Sequence, residues 1–497
     1  MAGPSPVSSP FWGRAAEIRL LDELARSARA ALLILYGRRR IGKTRLLTHW
    51  IATSGARALY WVAEPTSSLD QLRSFSQALY NFANPGAPAP ADSPIERGFT
   101  YASWQQAFQQ AAALAQREPL ALFLDEFTYL LEAEPGLGGV LQNAWDHALS
   151  KTRIFLALSG SHLGMMERHA LSHQAPLYGR ATAQLRLQPL PFGITRSFFP
   201  TFGPAERVVI YALFGGVPAY WERLDPTLSI SENIRRQLLT PNSLMQAEPR
   251  LLLQDFVTDP HNYVAILRAI AGGARAQSEI ATRTGLAQGH VSKYLSVLRE
   301  AGFVERRVPV AASETSRLGR YHIIDPYLRF YYRFLSTRQA QLALGVQEQS
   351  LEEIKAHLLD FIGTHTWEEL CREWVLRAGG RGALPISDQV GSFWSRTAQV
   401  DVVGIHALDK TIILGECKWS PREMGASVVE SLVAKTEAVV PKQGQWTVHY
   451  VAFARGGFSP DAVAFAARPL PGGANWTAAG VALRDLGAID ADLAAWA

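Results

Sequence analysis

Cysteine is almost missing from this 497-residue chain. Two residues, Cys371 and Cys417, cannot build a disulfide framework. That sets aside the small secreted scaffolds and makes a reducing cytoplasm the expected compartment. Long apolar runs are missing too. None reaches the roughly 18 residues that a membrane-spanning helix needs, and the opening MAGPSPVSSPFWGR holds no apolar core of the secretory kind. The expectation is a chain with no membrane partner. Internal repeats and long low-complexity tracts are absent, which excludes solenoid and fibrous classes. Lysine is scarce, with eight residues against 41 arginines, so a lysine at a motif position carries more weight. Neither sign of charge is in large excess. The formal net charge of +5 permits nucleic-acid partners without demanding them.

What is present is core-forming material. Hydrophobic residues make up 48% of the chain and charged residues 19%, in a length that suggests about three domains. Short apolar runs, ALLILYG from Ala31, ALYWVA from Ala58, LALFLDEF from Leu120 and RIFLALSG from Arg153, suit buried parallel strands. Helical stretches such as Tyr101 to Arg117 separate them, which is the α/β pattern. NPGAPAPADSP (84–94) reads as a loop. The expected organisation is an α/β domain over 1–205, a helical lid over 206–258, a second unit over 259–335, a helical connector over 336–365 and an α/β domain over 366–497.

The sharpest motif is GRRRIGKT. Gly37, Arg38, Arg39, Arg40, Ile41, Gly42, Lys43 and Thr44 fit G-x-x-x-x-G-K-[ST] between an apolar strand and a helix. Glycine lets the backbone turn its N–H groups toward phosphate oxygens, and the helix start adds partial positive charge. Lys43 is expected to reach the β- and γ-phosphates of ATP, and the Thr44 hydroxyl to ligate Mg²⁺. LALFLDEF ends in two acids at the C-terminal edge of a buried strand, where open α/β sheets bind ligands. Asp125 is expected to hold Mg²⁺ through water and Glu126 to act as general base. Ser161, after the next strand, is a candidate for the γ-phosphate or the lytic water. Arg180 is a candidate transition-state arginine, acting in its own chain or across a homo-oligomer, and equally a surface arginine. Phe11, Arg14 and Glu17 stand just before the first strand, where an aromatic and an arginine could flank adenine and helix capping explains them nearly as well.

These residues carry a resemblance. F-x-G-R-x-x-E, GRRRIGKT, LFLDEF, LSGS, LYGR and GGVPAYWERLD are similar to the archaeal-type AAA+ ATPase family over most of the first 330 residues. The resemblance implies a P-loop NTPase parallel sheet using ATP and Mg²⁺, with Lys43, Thr44, Asp125 and Glu126 in the roles given above.

Apolar spacing from Tyr263 to Val310 gives three helices, about 263–271, 277–284 and 288–301, with a glycine turn before the third. FVERRVPV and RYHIID then read as two strands. This is a winged helix-turn-helix pattern, with Gln288 to Ala301 as recognition helix. Arg283, His290, Lys293, Arg299, Arg306, Arg307, Arg317 and Arg320 are candidates to face DNA phosphates. Service as a lid or protein-contact module is the alternative.

Residues 398–420 read as a β-hairpin. A turn centred between Leu408 and Asp409 sets Asp401 across from Glu416 on one face. Two carboxylates and the Lys418 amine on otherwise apolar strands are costly to bury. They invite Mg²⁺ at Asp401 and Glu416, with Lys418 orienting an attacking water and Glu368, on the preceding amphipathic helix, completing the cluster. Cys417, inside the motif, is read as packing on the opposite face. The arrangement resembles the PD-(D/E)xK nuclease superfamily in the form often attached to archaeal-type ATPases. Asp401 matches its first-strand acid, Glu416-Cys417-Lys418 its ExK, and Glu368 its helical acid. Val400 stands where proline is common, and Gln399 where the attached form often has glutamate. The resemblance covers about 366–455 and implies a metal-dependent nuclease acting on nucleic acid. An ATP-dependent switch binding DNA or protein, with a non-cleaving C-terminal module, is the other reading.

Overall fold

The structure is a computed structural model and describes residues 10–85, 99–173, 175–254, 256–257 and 259–497. The loop expected at 84–94 lies, from residue 86 on, outside the described residues. The chain divides into two compact units, one running up to Leu190 with Val217–Ala219, the other comprising Pro191–Gly216 and Tyr220–Ala497.

The first unit is built on a parallel sheet of β1 (Ala31–Tyr36), β2 (Ala58–Val62), β3 (Leu120–Asp125), β4 (Ile154–Gly160) and β5 (Ala183–Arg186) in the order β2-β3-β4-β1-β5. Every residue of β3 and β4 is buried, which is why both read as unbroken apolar runs. The expected helix over 101–117 begins at Trp104, because Ser103 caps it by accepting from the Gln106 N–H at 3.2 Å.

The second unit takes over before residue 205. A tight turn at Phe192–Ile194 is pressed against the terminal helix Leu486–Ala495, so closely that a Cβ on Gly193 would sit 2.1 Å from the Leu493 carbonyl oxygen. Further along, Arg207 donates to both carboxylate oxygens of Asp490 at 3.0 and 2.6 Å, and both side chains are buried.

The helices His261–Ala271, Gln277–Thr284 and Gln288–Glu300 bury Ile266, Leu267, Ile270, Ile280, Val291, Leu295 and Leu298 together. The antiparallel pair β6 (Val304–Arg307) and β7 (Arg320–Ile323) follows as the wing. A mixed five-stranded sheet closes the unit: β8 (Gln389–Trp394), β9 (Gln399–His406), β10 (Thr411–Lys418), β11 (Trp446–Ala454) and β12 (Trp476–Asp485), ordered β12-β11-β10-β9-β8. β9 and β10 pair from His406–Thr411 to Val402–Gly415 in the register the hairpin arithmetic requires. Val403, Ile405, Ile412 and Leu414 share one core cluster. Among the described residues no helix is long and apolar enough to cross a membrane.

Candidate functional site

β1 delivers the chain to Gly37, where a Cβ would lie 2.5 Å from Ile41 Cδ1 and 2.7 Å from the Leu187 carbonyl oxygen. Arg40 and Gly42 take left-handed φ values of 68° and 96°, and they turn the loop into the helix Lys43–Ser54. No side-chain cap is recorded at that helix start, the end of a helix whose partial positive charge suits an anion. Lys43 is buried and donates from Nζ to the Gly37 carbonyl at 2.8 Å and the Arg38 carbonyl at 3.1 Å. Burial pushes its ammonium pKa down to about 8, against the pull of Glu126 and Asp125.

Thr44 Oγ1, in the first turn of the helix Lys43–Ser54, donates to Asp125 Oδ2 at the end of β3, at 2.7 Å. Asp125 is held from two further sides. Tyr60 on β2 donates its hydroxyl to the same oxygen at 2.6 Å, and the Glu126 N–H donates to Oδ1 at 3.0 Å. Glu126 itself has a left-handed φ of 50°, and its carboxylate accepts from Ser161 Oγ at 2.8 Å. Among the described residues the neighbouring Ser159 hydroxyl is buried without a hydrogen-bond partner. The structure therefore brings Lys43, Thr44, Asp125, Glu126 and Ser161 together. A hydroxyl and a carboxylate in contact beside a buried lysine form a donor set of hard oxygens that fits Mg²⁺ with a phosphate chain.

The other candidates have these partners. Arg180 clasps Asp146 with two hydrogen bonds of 2.8 and 2.7 Å. Arg14 bridges Glu17 and the Ile41 carbonyl, each at 3.1 Å, and Phe11 stacks on His49 with ring centroids 3.9 Å apart. Tyr60 escaped sequence reasoning because a tyrosine inside ALYWVA is indistinguishable from core.

In the C-terminal sheet, Asp401 stands one step beyond the last paired residues of β9 and accepts from the Cys417 N–H at 3.0 Å. Burial first, and then the Glu416 charge, push its carboxyl pKa up. Glu416 is buried and accepts from Lys418 at 2.9 Å on one oxygen and from Lys435 at 2.9 Å on the other. Lys435, just past the helix Ala426–Ala434, was not foreseen, since nothing local connects it to the hairpin. Glu368 opens the helix Glu368–Gly379. Burial and the Asp401 charge raise its pKa to about 7, while Arg372 acts against them from 3.3 Å. Arg372 also donates to Ser392 Oγ at 2.8 Å and to the Asp401 carbonyl at 3.2 Å. Cys371 and Cys417 are buried free thiols, and burial pushes both upward in pKa. Among the described residues no three His, Cys, Asp or Glu side chains are gathered as a ready metal cage. Glu368 thus lies beside Asp401 and pairs with Arg372, while Glu416 is neutralised by two amines.

On the winged helix, Arg283, His290, Lys293, Arg299 and Arg317 are exposed. Three wing cations need correction as phosphate contacts. Arg306 donates to the Glu314 and Ser316 carbonyls, Arg307 pairs with Glu369 at 2.9 Å, and Arg320 lies over the Trp394 ring at 4.6 Å.

Residues 11–224 match a family described as an ATPase domain predominantly from Archaea. Residues 262–308 match the IclR helix-turn-helix domain, and residues 331–429 a family of archaeal and bacterial proteins of unknown function. An uncharacterized protein of Methanocaldococcus jannaschii is 28% identical over 412 residues, covering 82% of this chain and 87% of that protein. Among solved structures, the Walker-type ATPase of Pyrococcus abyssi aligns with a TM-score of 0.50 at 17% identity, over 67% of this chain and 98% of its own. The ORC2 protein of Aeropyrum pernix aligns at 0.40 and 14% identity, over 69% and 98%. Along the chain, a segment similar to an ATPase domain predominantly from Archaea is thus followed by one similar to the IclR helix-turn-helix domain and one similar to a family of unknown function.

Proposed function

We propose that the chain hydrolyses ATP with Mg²⁺ and uses that cycle on DNA, which the winged helix engages and a C-terminal PD-(D/E)xK-like site cleaves. The observation that carries the reading is the Thr44–Asp125 contact beside the buried Lys43. Bound there, Mg²⁺ would neutralise developing charge on the transferring phosphoryl group. Thr44 would hold it directly and Asp125 through water. Lys43 would leave the Gly37 and Arg38 carbonyls for β- and γ-phosphate oxygens. Glu126 would take the proton of the attacking water, with Ser161 fixing the carboxylate that receives it.

In the C-terminal sheet, Asp401 and Glu416 supply hard oxygens on adjacent strands, and Lys418 supplies a cation for the attacking water or the developing phosphate charge. Support for this half comes from the hairpin register and from a helix–hairpin–helix–strand order in which Glu368, Asp401 and Glu416 converge. A second reading is favoured by one observation: both oxygens of Glu416 already hold lysines, as suits an ATP-dependent switch with a non-cleaving module.

Phosphate release by wild type and Lys43→Ala tests the first half. Intact hydrolysis in the variant overturns the nucleotide site. Plasmid cleavage with Mg²⁺, comparing wild type with Asp401→Ala and Lys418→Ala, tests the second. A wild type that cleaves nothing under any nucleotide condition leaves the switch as the answer.

A further inference from the structure

We infer that the wing is the socket that holds the C-terminal sheet, so that within the winged helix the recognition helix, and not the wing, presents the nucleic-acid surface. The second clause rests on the DNA reading above, and the first stands without it. A two-stranded ribbon reads nucleic acid by laying its edge and its cations along a groove. Here the ribbon and three of its cations, Arg306, Arg307 and Arg320, are committed inside the protein, and Arg317 at the tip stays exposed.

The Val310 N–H donates to the Ser392 carbonyl at 3.0 Å, which joins the segment after β6 to the edge strand β8. The Val310 side chain packs into the core cluster of Val400, Val403 and Ile405. Gly391 accommodates it, since a Cβ there would meet Val310 Cγ2 at 2.8 Å. At the other end of the wing loop, Trp394 Nε1 donates to the Leu318 carbonyl at 2.9 Å and its ring lies under the Arg320 guanidinium. Below these, Arg307 and Arg329 converge on Glu369, each at 2.9 Å. Polar, apolar and ionic contacts thus occupy the same ribbon. Releasing it toward a groove would break the contacts that the wing itself makes and part Arg307 from Glu369.

The recognition helix is different. Val291, Leu295 and Leu298 face the core, and His290, Lys293 and Arg299 face outward. Two cations, Lys293 and Arg299, make a modest footprint, so binding should be weak and steeply dependent on this face.

The test uses the full chain. Hydrogen exchange read by mass spectrometry should show residues 308–319 protected in the wild type and unprotected in Trp394→Ala. Exchange of that segment at free-peptide rates in the wild type overturns the socket, whatever the variant does. Duplex binding is measured by anisotropy on a fluorescein-labelled DNA about two helical turns long, over a salt series. Lys293→Ala with Arg299→Ala should weaken binding about tenfold or more and flatten the log–log salt slope by about two. Arg317→Ala, at the wing tip, should stay within about twofold. Equal losses in the two variants overturn the assignment of the surface to the helix. Absence of any duplex binding by the wild type removes both the DNA reading and the surface assigned from it, and exchange then judges the socket alone.

Discussion

Replacing Glu368 by glutamine should stabilise the second unit at neutral and alkaline pH and do little in acid. The carboxyl is pushed from 4.5 to about 7 by burial and by the neighbouring Asp401 charge. An acid with a raised folded pKa stays protonated in the fold while the unfolded chain ionises. Stability is therefore lost progressively as pH rises from the unfolded to the folded value. At about 1.4 kcal/mol per unit, the ceiling is about 3 kcal/mol. The fifth of the side chain left open to solvent brings the expected gain to about 2 kcal/mol. Glutamine keeps an oxygen for Arg372 and never ionises. The assay is urea denaturation followed by tryptophan fluorescence, in EDTA, for both proteins at pH 5 and pH 8. The first unit is common to both curves, so its contribution cancels in the difference. A variant no more stable than wild type at pH 8, or a gain equal at the two pH values, would refute the electrostatic account of this corner.

Two further perturbations probe the other networks. Tyr60→Phe removes one of the donors on Asp125 without emptying the core. Its kcat for Mg-ATP should fall about tenfold, while fluorescent-nucleotide affinity measured without Mg²⁺ should not change. Equal change in both would make Tyr60 a packing residue. Glu369→Ala strands Arg307 and Arg329, two cations that hold its carboxyl far below the usual range. The expected cost is about 3–5 kcal/mol in urea denaturation, and a loss under about 1 kcal/mol would show that the pair is solvated.

The parts of the fold that sequence exposed are those with strict local rules. A glycine loop between an apolar strand and a helix has few conformations, so residues 37–44 were legible. Period-two alternation with a short turn fixes a hairpin, so Asp401 and Glu416 were legible as neighbours. Convergence from distant segments was not. Lys435 reaches Glu416 from beyond a helix, and Tyr60 reaches Asp125 from another strand. The acids Glu368 and Glu369 are adjacent in sequence, yet burial beside Asp401 raises one while flanking arginines depress the other. Short edge strands were also missed. β5 is four residues of half-buried alternation and gives almost no hydrophobic signal.

The buried clasp between Arg207 and Asp490 spans 283 positions of chain. Modules drawn as successive beads are, in this unit, threaded back on themselves: the closing helix is part of the foundation on which the opening segment rests. Trimming the final dozen or so residues would therefore be felt ahead of the winged helix. Anyone dissecting this protein into pieces must carry both extremities of that stretch in the same fragment.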